Sequence, residues 1–285
     1  MTLNDHVRVV SDTAMAIAIQ DLTFYHGTNT APSLSNISLR LPPGSRTILV
    51  GANGAGKSTL LQLLAGKRLI KNAHVRINDR DVFWDSPPGV SFLGTEWAMN
   101  PVVRGDIVVS AFFDSVGGYR HKERRDKLLD ILDIDLDWHM HAISDGERRR
   151  VQLCMGLMAP WQVLLLDEVT VDLDVLVRNE LLIFLRDDSL ARGATILYAT
   201  HIYDGLTDSL SPTHVVHMRL GSFFTEPTPW PFNNTSLYHT ALQWLKEDRD
   251  HRLELEKRGR KARGARRDGV TTHSETFYKK YDYAH

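Results

Sequence analysis

The chain has 285 residues, of which 42% are hydrophobic and 24% charged, values that are ordinary for a globular protein with a sizeable core. No run approaches the roughly 18 uncharged apolar residues that span a bilayer, and the first residues lack the apolar block of a secretory signal. The single cysteine, Cys154, excludes an intrachain disulfide framework. It predicts a reducing compartment, the cytoplasm or also the nucleus, and its apolar helical surroundings predict a buried core residue.

The formal net charge of −1 hides a basic run near the end of the chain. The segment Lys257–Arg267 carries seven basic residues and no acidic one. A solvated tail is the simplest interpretation of such a run. An RNA contact, an acidic protein partner and a nuclear-import address are the functional alternatives.

Strand and helix patterns alternate along most of the chain. Strands are predicted at Met15–Leu22, Ile37–Leu41, Arg46–Val50, His74–Asn78, Val90–Leu93, Val163–Asp167, Ala194–Thr200 and, as a late edge strand, Val215–Leu220. Helices are predicted at Lys57–Ala65, Ile107–Leu132, Glu147–Met158, Leu176–Leu185 and Leu237–Glu256. This alternation indicates an α/β fold with a mostly parallel sheet, which a largely helical insert interrupts between Glu96 and Pro160.

A glycine-rich loop follows the third strand and precedes the first helix. The residues from Gly51 to Ser58 fit the pattern G-x-x-x-x-G-K-[ST] in the required strand–loop–helix context. Backbone N–H groups of such a loop surround phosphate oxygens, Lys57 reaches the β and γ phosphates, and the Ser58 hydroxyl ligates Mg²⁺. The predicted nucleotide ligands are Asn53, Gly54, Ala55, Gly56, Lys57, Ser58 and Thr59. The loop therefore predicts ATP and Mg²⁺ as ligands.

The buried strand Val163–Asp167 ends in two successive carboxylates. After a phosphate-binding loop, this pattern predicts that Asp167 lies near the magnesium ion and binds it through its water shell. Glu168 is predicted to orient and polarise the attacking water as a general base. Together the two elements predict an ATPase.

The segment Ile143–Glu147 opens a helix and resembles the signature of the ATP-binding-cassette (ABC) family, which reads close to Leu-Ser-Gly-Gly-Gln. Ser144 and Gly146 match that signature, whereas Asp145 and Glu147 depart from its commonest form. The residues alone predict an N-cap or a phosphate site, because a helix N-terminus offers free N–H groups to either. The resemblance implies that Ser144, Gly146 and Glu147 complete the ATP site of a second copy.

The resemblance assigns further residues by their place in the order of motifs. Asp174 matches the D-loop aspartate, and His201, after a buried strand, matches the switch histidine that contacts the γ-phosphate. Tyr25 and His26 both lie near the place of the aromatic residue that stacks on adenine, and spacing does not separate them. Histidines elsewhere, such as His139 and His141, are predicted to be structural or solvated.

One family position is altered. The family has a magnesium-contacting glutamine after the strand Val90–Leu93, where this chain has Thr95 followed by Glu96. Either side chain is a candidate to contact the ion through water. The residue that usually connects the helical lobe to the core is replaced.

The resemblance covers roughly residues 16–225, with more near 241–248. It implies an ABC ATPase domain over 14–230, with a P-loop core at 14–95 and 161–230, an antiparallel β edge and a helical subdomain at 96–160. Residues 231–285 form a helical and basic extension. Several strings, such as Leu93–Trp97 and Trp161–Asp174, are similar to the small soluble eukaryotic ABC ATPases associated with the Ccr–Not complex.

That resemblance implies an ATP-driven homodimeric switch that regulates transcription or mRNA turnover. The alternative is the ATPase subunit of a membrane transporter with a separate permease, which the catalytic motifs do not exclude. The replaced glutamine at Thr95 favours the switch. A direct contact of the basic run with RNA is a third, weaker hypothesis.

Overall fold

The computed structural model describes residues 14–27, 31–70, 73–94, 104–232 and 235–258. The strands are β1 Ile17–Phe24, β2 Leu34–Leu41, β3 Arg46–Val50, β4 His74–Ile77, β5 Arg80–Asp81, β6 Val90–Leu93, β7 Val163–Asp167, β8 Thr195–Ala199, β9 His214–Arg219, β10 Ser222–Phe223 and β11 Thr228–Pro229. The helices are α1 Lys57–Leu64, α2 Val109–Ser115, α3 Lys122–Leu132, α4 Asp145–Met158, α5 Val175–Arg192, α6 Leu206–Ser209 and α7 Leu237–Lys257, with a 3₁₀ turn at Gly118–His121.

The strands form two sheets. An antiparallel sheet has the order β2-β1-β4-β5, and a mixed sheet has the order β10-β9-β3-β8-β7-β6, with β11 also pairing with β9. Within the mixed sheet β6, β7, β8, β3 and β9 are parallel. The α/β class, the mostly parallel sheet and the antiparallel β edge are as predicted from the sequence.

The central strands β3, β7 and β8 are buried at every residue. Continuous apolar strands of this kind need cover on both faces of a parallel sheet. Their register pairs Tyr198 with Ile48 on one side and with Leu166 on the other, so the carboxyl ends of the three strands meet at one edge. Loops at this edge of an open parallel sheet are where ligands bind.

The structure differs from the sequence-based prediction at β9 and around α2. The predicted edge strand Val215–Leu220 lies inside the sheet, because β9 pairs with β3 on one side and with the two-residue strands β10 and β11 on the other. The predicted helix Ile107–Leu132 is divided into α2 and α3. Gly117, with a φ of 83°, ends the first part, because few other residues adopt this left-handed conformation without strain.

Helices α3 and α5 are joined by an ion-pair cluster around Asp188. The Arg124 guanidinium donates two hydrogen bonds of 2.6 Å to the Asp188 carboxylate, and Arg192 Nε donates a third, of 2.9 Å, to Asp188 Oδ1. Only 9% of the Asp188 side chain is exposed. Burial alone raises the pKa of Asp188, but the hydrogen bonds from Arg124 and Arg192 outweigh burial and lower this pKa to about 2.

Cys154 on α4 is fully buried, as predicted, and burial raises the pKa of its thiol to about 12. A thiol that stays protonated at neutral pH is a poor nucleophile. Cys154 is therefore a packing residue.

The described residues divide into two compact units at Trp244. Within the first unit the Trp244 ring stacks on the buried His217 ring at a centroid distance of 4.8 Å. In the described ranges no helix is both long and apolar enough to cross a membrane. The basic run Lys257–Arg267 lies outside the described residues from position 259 onward.

Candidate functional site

The glycine-rich loop lies between β3 and α1, at the sheet edge where the central strands end. Gly56 is the N-cap of α1 with a φ of 107°, and a Cβ at this position would lie 2.8 Å from Leu34 Cδ2. A Cβ at Gly51 would lie 2.4 Å from the carbonyl oxygen of Met218. Backbone conformation and close packing therefore both require glycine here, and the N-terminus of α1 points its N–H groups toward a ligand at the loop.

Lys57 is the first residue of α1, and its side chain is buried. Its Nζ donates hydrogen bonds to the carbonyl oxygens of Gly51, at 2.8 Å, and Ala52, at 3.3 Å. Burial lowers the pKa of Lys57, although the charges of Glu168 and Asp167 partly oppose this. A buried ammonium group at a helix N-terminus is suited to bind a phosphate anion.

Two carboxylates and a histidine lie beside Lys57. Asp167 ends β7 and is buried, and Glu168 follows in a left-handed conformation with a φ of 54°. The turn is held by a 2.9 Å hydrogen bond from the Glu168 N–H to the carbonyl of Ala199 in β8. Glu168 Oε1 lies 2.8 Å from His201 Nε2, which is itself 3.3 Å from Lys57 Nζ.

The protonation of His201 follows from these neighbours. Burial lowers the pKa of His201, and the charge of Lys57 lowers it further, against the opposing effect of Glu168. The imidazole is therefore neutral at pH 7. In the tautomer that carries the proton on Nε2, His201 donates to Glu168 and does not accept a hydrogen bond from Lys57 Nζ. His201 thus holds in place the side chain of Glu168, which directly follows strand β7.

Ser144 is the N-cap of α4 and forms a capping box with Glu147. The Ser144 N–H and hydroxyl donate to Glu147 Oε2 at 2.8 and 2.7 Å, and the Glu147 N–H donates to Ser144 Oγ at 3.2 Å. Hydrogen bonds from the side chain and backbone of Ser144 lower the pKa of Glu147. An ionised carboxylate therefore lies at the N-terminus of α4, the place that an anionic ligand would use.

Asp174 is the N-cap of α5 and also binds helix α4. Its Oδ1 accepts the N–H of Val177 at 3.0 Å, and its Oδ2 accepts Arg150 Nη2 at 2.9 Å. Arg150 also donates to the carbonyl oxygen of Leu132 at 3.3 Å. The predicted D-loop residue and the predicted signature helix are thus in direct contact.

Comparison with known proteins agrees with this geometry. The sequence profile of the ABC transporter family matches residues 34–171. The chain is 43% identical over 247 residues to ABC transporter I family member 20 of Arabidopsis thaliana, a match that covers 82% of this chain and 74% of that protein. It is 39% identical over 278 residues to CCR4-associated factor 16 of Saccharomyces cerevisiae, covering 82% of this chain and 95% of that protein.

The chain belongs to the ATP-binding-cassette family. Solved structures show the same fold at low sequence identity. An ATP-binding subunit of an ABC transporter superposes with a TM-score of 0.65 at 18% identity, covering 80% of this chain and 99% of that chain. A dimeric bacterial ABC transporter cassette superposes with a TM-score of 0.62 at 17% identity, covering 76% of this chain and 99% of that chain.

The cassette has a polar clamp next to the altered glutamine position. Thr95 and Glu96 lie outside the described residues, but Gly94 directly precedes them. The carbonyl oxygen of Gly94 accepts hydrogen bonds from Arg149 Nη1 at 2.8 Å and Gln152 Nε2 at 2.9 Å. Both side chains are buried and come from α4. Helix α4 is thus bound to the end of core strand β6, just before Thr95.

No role is predicted from the sequence for Arg149 or Gln152. Both stand in the predicted helix Glu147–Met158, just after the segment that resembles the family signature. The available signal was the run Arg148–Arg150, because three successive residues of a helix spread over about 200° and cannot all lie on one solvated face. Their burial depends on the approach of β6, which spacing along the chain does not reveal.

Both candidates for adenine stacking follow strand β1 and are exposed. Tyr25 is 52% exposed. His26 Nε2 lies 3.4 Å from the Thr59 hydroxyl, and its Nδ1 accepts Arg68 Nη1 at 3.3 Å. The His26 ring also lies edge-on to Phe24, at a centroid distance of 5.2 Å. His26 therefore lies beside Thr59, one of the predicted nucleotide ligands, just after strand β1.

We expect His26→Ala to weaken ATP binding about tenfold and Tyr25→Ala to change it less than about twofold, because stacking of one base contributes roughly 1–3 kcal/mol. Titration of each variant with a fluorescent ATP analogue measures its dissociation constant. Tyr25→Ala is the matched control, since it removes a neighbouring and exposed aromatic ring. The reverse order of effects would assign adenine stacking to Tyr25.

Proposed function

We propose that this chain binds ATP with Mg²⁺ and hydrolyses the ATP at sites shared between two copies, and that this cycle regulates a gene-expression complex of the Ccr–Not type. The observation that supports hydrolysis most directly is the arrangement of three groups at the sheet edge. Lys57, His201 and Glu168 follow one another at 3.3 and 2.8 Å beside the glycine-rich loop. A phosphate-binding cation and a general-base carboxylate are what hydrolysis of a phosphoanhydride requires.

The groups present fit the nucleotide and the metal. Glycines at Gly51 and Gly56 keep the loop free of side chains that would fill the cradle. The exposed Ser58 hydroxyl and the Asp167 carboxylate are oxygen donors, which Mg²⁺ prefers. When bound, Mg²⁺ neutralises phosphate charge.

The roles of Thr95 and Glu96 toward the ion stay predictions, as does the division into a cassette at 14–230 and an extension at 231–285.

The chain's own residues perform the proposed steps. Lys57 binds the phosphates, and the backbone of Asn53–Thr59 surrounds them. Glu168 accepts a proton from the attacking water, and His201 holds that carboxylate in place through a 2.8 Å contact. Because His201 is neutral at pH 7, it stabilises the glutamate without protonating it.

The surface around the signature and the D-loop supports pairing of two copies. Ser144 is exposed at the N-terminus of α4. Around Asp174 the side chains of Val171, Val175 and Leu176 are between 54% and 83% exposed. Exposed apolar groups of this kind mark contact surfaces. One of the structures with this fold is a dimeric cassette. A symmetric pair would bring Ser144 and Gly146 of one copy to Lys57 of the other.

Mixing two inactive variants tests the shared site. We expect Lys57→Ala and Ser144→Ala each to lose ATP turnover when pure. A one-to-one mixture should recover about a quarter of the wild-type rate, because half of random pairs are mixed and each mixed pair has one intact site. Thermal unfolding checks that both variants are folded. This control is needed because loss of the Ser144 cap costs about 1 kcal/mol of stability. A mixture as inactive as its components would contradict a site built from two copies.

We further expect Glu147→Gln to strengthen ATP-dependent pairing about tenfold. The change removes a negative charge next to the place of the incoming γ-phosphate, where like charges repel. Glutamine preserves the capping box, so helix α4 should keep its stability. Analytical ultracentrifugation with ATP measures the association constant. The control is Glu180→Gln on the exposed face of α5, and equal effects of both changes would assign the gain to net charge alone.

The name of the yeast relative, CCR4-associated factor 16, supports a role near the Ccr–Not complex. Affinity purification of the chain with and without ATP tests this proposal, and recovery of Ccr–Not subunits is the expected result. A second candidate, the ATPase subunit of a transporter, is favoured by 25% identity to an energy-coupling factor transporter ATP-binding protein. Recovery of an integral membrane protein instead would support that second candidate.

A further inference from the structure

Two short extended segments pair on the protein surface ahead of the signature helix. The Val109 N–H donates to the carbonyl of Trp138 at 2.8 Å, and the Met140 N–H donates to the carbonyl of Ile107 at 2.9 Å. Val108 and His139 form an antiparallel bridge between them. Met140 is fully buried, whereas its neighbours on either side are exposed histidines. The rings of His139 and His141 meet on the surface edge-on, at a centroid distance of 5.7 Å.

Asp106, from the first segment, lies between the two histidines. Its Oδ1 is 2.8 Å from His139 Nδ1 and 3.1 Å from His141 Nδ1. One ligand atom from each of the three side chains lies within 4.8 Å of the others. Two ligand atoms on one tetrahedral zinc ion lie roughly 3.3 Å apart, because each is about 2.0 Å from the ion. Small rotations of exposed side chains suffice to reach that spacing.

We propose that Asp106, His139 and His141 form a binding site for a divalent transition-metal ion of the zinc type. Two imidazole nitrogens and one carboxylate oxygen are a ligand set that suits zinc and its neighbours rather than Mg²⁺ or Ca²⁺. Three protein ligands leave a coordination position open to water or to a further ligand.

The proposed metal site is connected to the signature through Arg148. Arg148 Nη2 donates to the carbonyl oxygens of Met140 at 3.0 Å and Ile143 at 2.9 Å, and its Nη1 donates to Asp145 Oδ1 at 2.5 Å. Arg148 is buried on α4. An ion on His139 and His141 would therefore restrain the loop that leads into Ser144.

From the sequence alone, both histidines are predicted to be structural or solvated. Asp106 is separated from them by more than thirty residues, and nothing in their spacing links it to them. Only the pairing of the two extended segments brings the carboxylate between the imidazoles. A His-x-His pair on an extended segment was the one available signal, and it lacked a third ligand.

Titration of the full-length chain with Zn²⁺ by calorimetry, and with Co²⁺ by visible absorption, tests the proposed metal site. We expect one ion per chain, with Co²⁺ bands typical of nitrogen and oxygen ligands. The single change His139→Gln and the double change His139→Gln with His141→Gln should each lower the affinity at least about tenfold, because loss of even an outer-shell partner of a metal ligand costs roughly 10–100-fold. Asp106→Asn should do the same. His74→Gln, which removes another exposed histidine, should leave binding unchanged.

Stoichiometric binding that survives in the double variant would overturn the proposal, as would the absence of binding to the wild-type chain. Amide hydrogen exchange gives an independent measurement in the same samples. Zn²⁺ should slow exchange at the N–H groups of Val109 and Met140, which hold the two segments together. Unchanged exchange at these amides under saturating Zn²⁺ would place the ion elsewhere and likewise overturn the assignment.

Discussion

Replacing Glu168 by glutamine is expected to lower ATP turnover at least about 100-fold while ATP binding persists, because general-base catalysis contributes roughly 10²–10⁴-fold to such rates. Glutamine keeps the size of the side chain and can still contact His201, which lies 2.8 Å from Glu168 Oε1. It cannot accept a proton from the attacking water. Two copies that hold ATP but do not cleave it should therefore stay associated.

Phosphate release measures turnover of Glu168→Gln, and light scattering with ATP measures its association. Glu180→Gln is the matched control, because it makes the same chemical change on the exposed face of helix α5. We expect the control to behave like the wild-type chain. A Glu168→Gln variant that turns over ATP within tenfold of wild type would remove Glu168 from the proposed mechanism. A variant that is inactive but remains a monomer with ATP would contradict pairing instead.

Replacing Asp188 by asparagine is expected to lower the free energy of unfolding at pH 7 by about 3 kcal/mol. The change leaves the Arg124 and Arg192 guanidinium groups without their carboxylate, and loss of one partner of a buried ion pair costs roughly 3–5 kcal/mol. Partial exposure of Arg192 places the estimate at the lower end. The helices α3 and α5, which the cluster joins, should separate more easily.

The effect of Asp188→Asn should depend on pH in a defined direction. The pKa of Asp188 is lowered to about 2 in the folded chain from an ordinary value of 3.8. A depressed carboxylate pKa stabilises the fold above the unfolded value, and this contribution is lost as the pH falls through the folded value. The wild-type advantage should thus be full above about pH 5 and should shrink below about pH 4, by about 1 kcal/mol at pH 3 and toward a limit of about 2.4 kcal/mol at still lower pH.

Urea unfolding of the wild type and of Asp188→Asn between pH 7 and pH 3 measures this dependence. Asp187→Asn is the control, since the neighbouring Asp187 is 56% exposed and its ion pair should contribute little. A difference between wild type and Asp188→Asn that stays constant over the whole range would show that the charge of Asp188 is not what stabilises the fold.

The α/β fold and the order of its main strands follow from local patterns that the sequence displays. Strands with a continuous apolar run, such as Val163–Leu166 of β7, predict burial in a parallel sheet, and the glycine-rich loop before Lys57 predicts the turn into α1. Two-residue strands such as Ser222–Phe223 leave no periodic pattern, which is why β9 was wrongly predicted to lie at an edge. Spacing along the chain also gives no information where contacts between distant segments determine the structure.

The same limit applies to the site. The order of the motifs along the chain is enough to name the loop residues, the strand-end carboxylates and His201. The distances between these groups are known only from the folded structure. The residues of Ile143–Glu147 alone predict an N-cap or a phosphate site, and the structure shows that Ser144 forms the cap, in a capping box with Glu147. The contacts of Arg149 and Gln152 with Gly94 join segments more than fifty residues apart, which no local pattern predicts.

The clamp on Gly94 has a mechanical consequence. Helix α4 begins at the signature, and farther along Gly156 accepts a 2.8 Å hydrogen bond from Ser91 Oγ of β6. A Cβ at Gly156 would lie 2.3 Å from Leu93 Cδ2, so the helix and strand are in direct contact. Close-packed interiors transmit displacement instead of absorbing it. A displacement of the first turn of α4 would therefore be transmitted, with little reduction in size, to β6 and to its neighbour β7, which ends at Asp167.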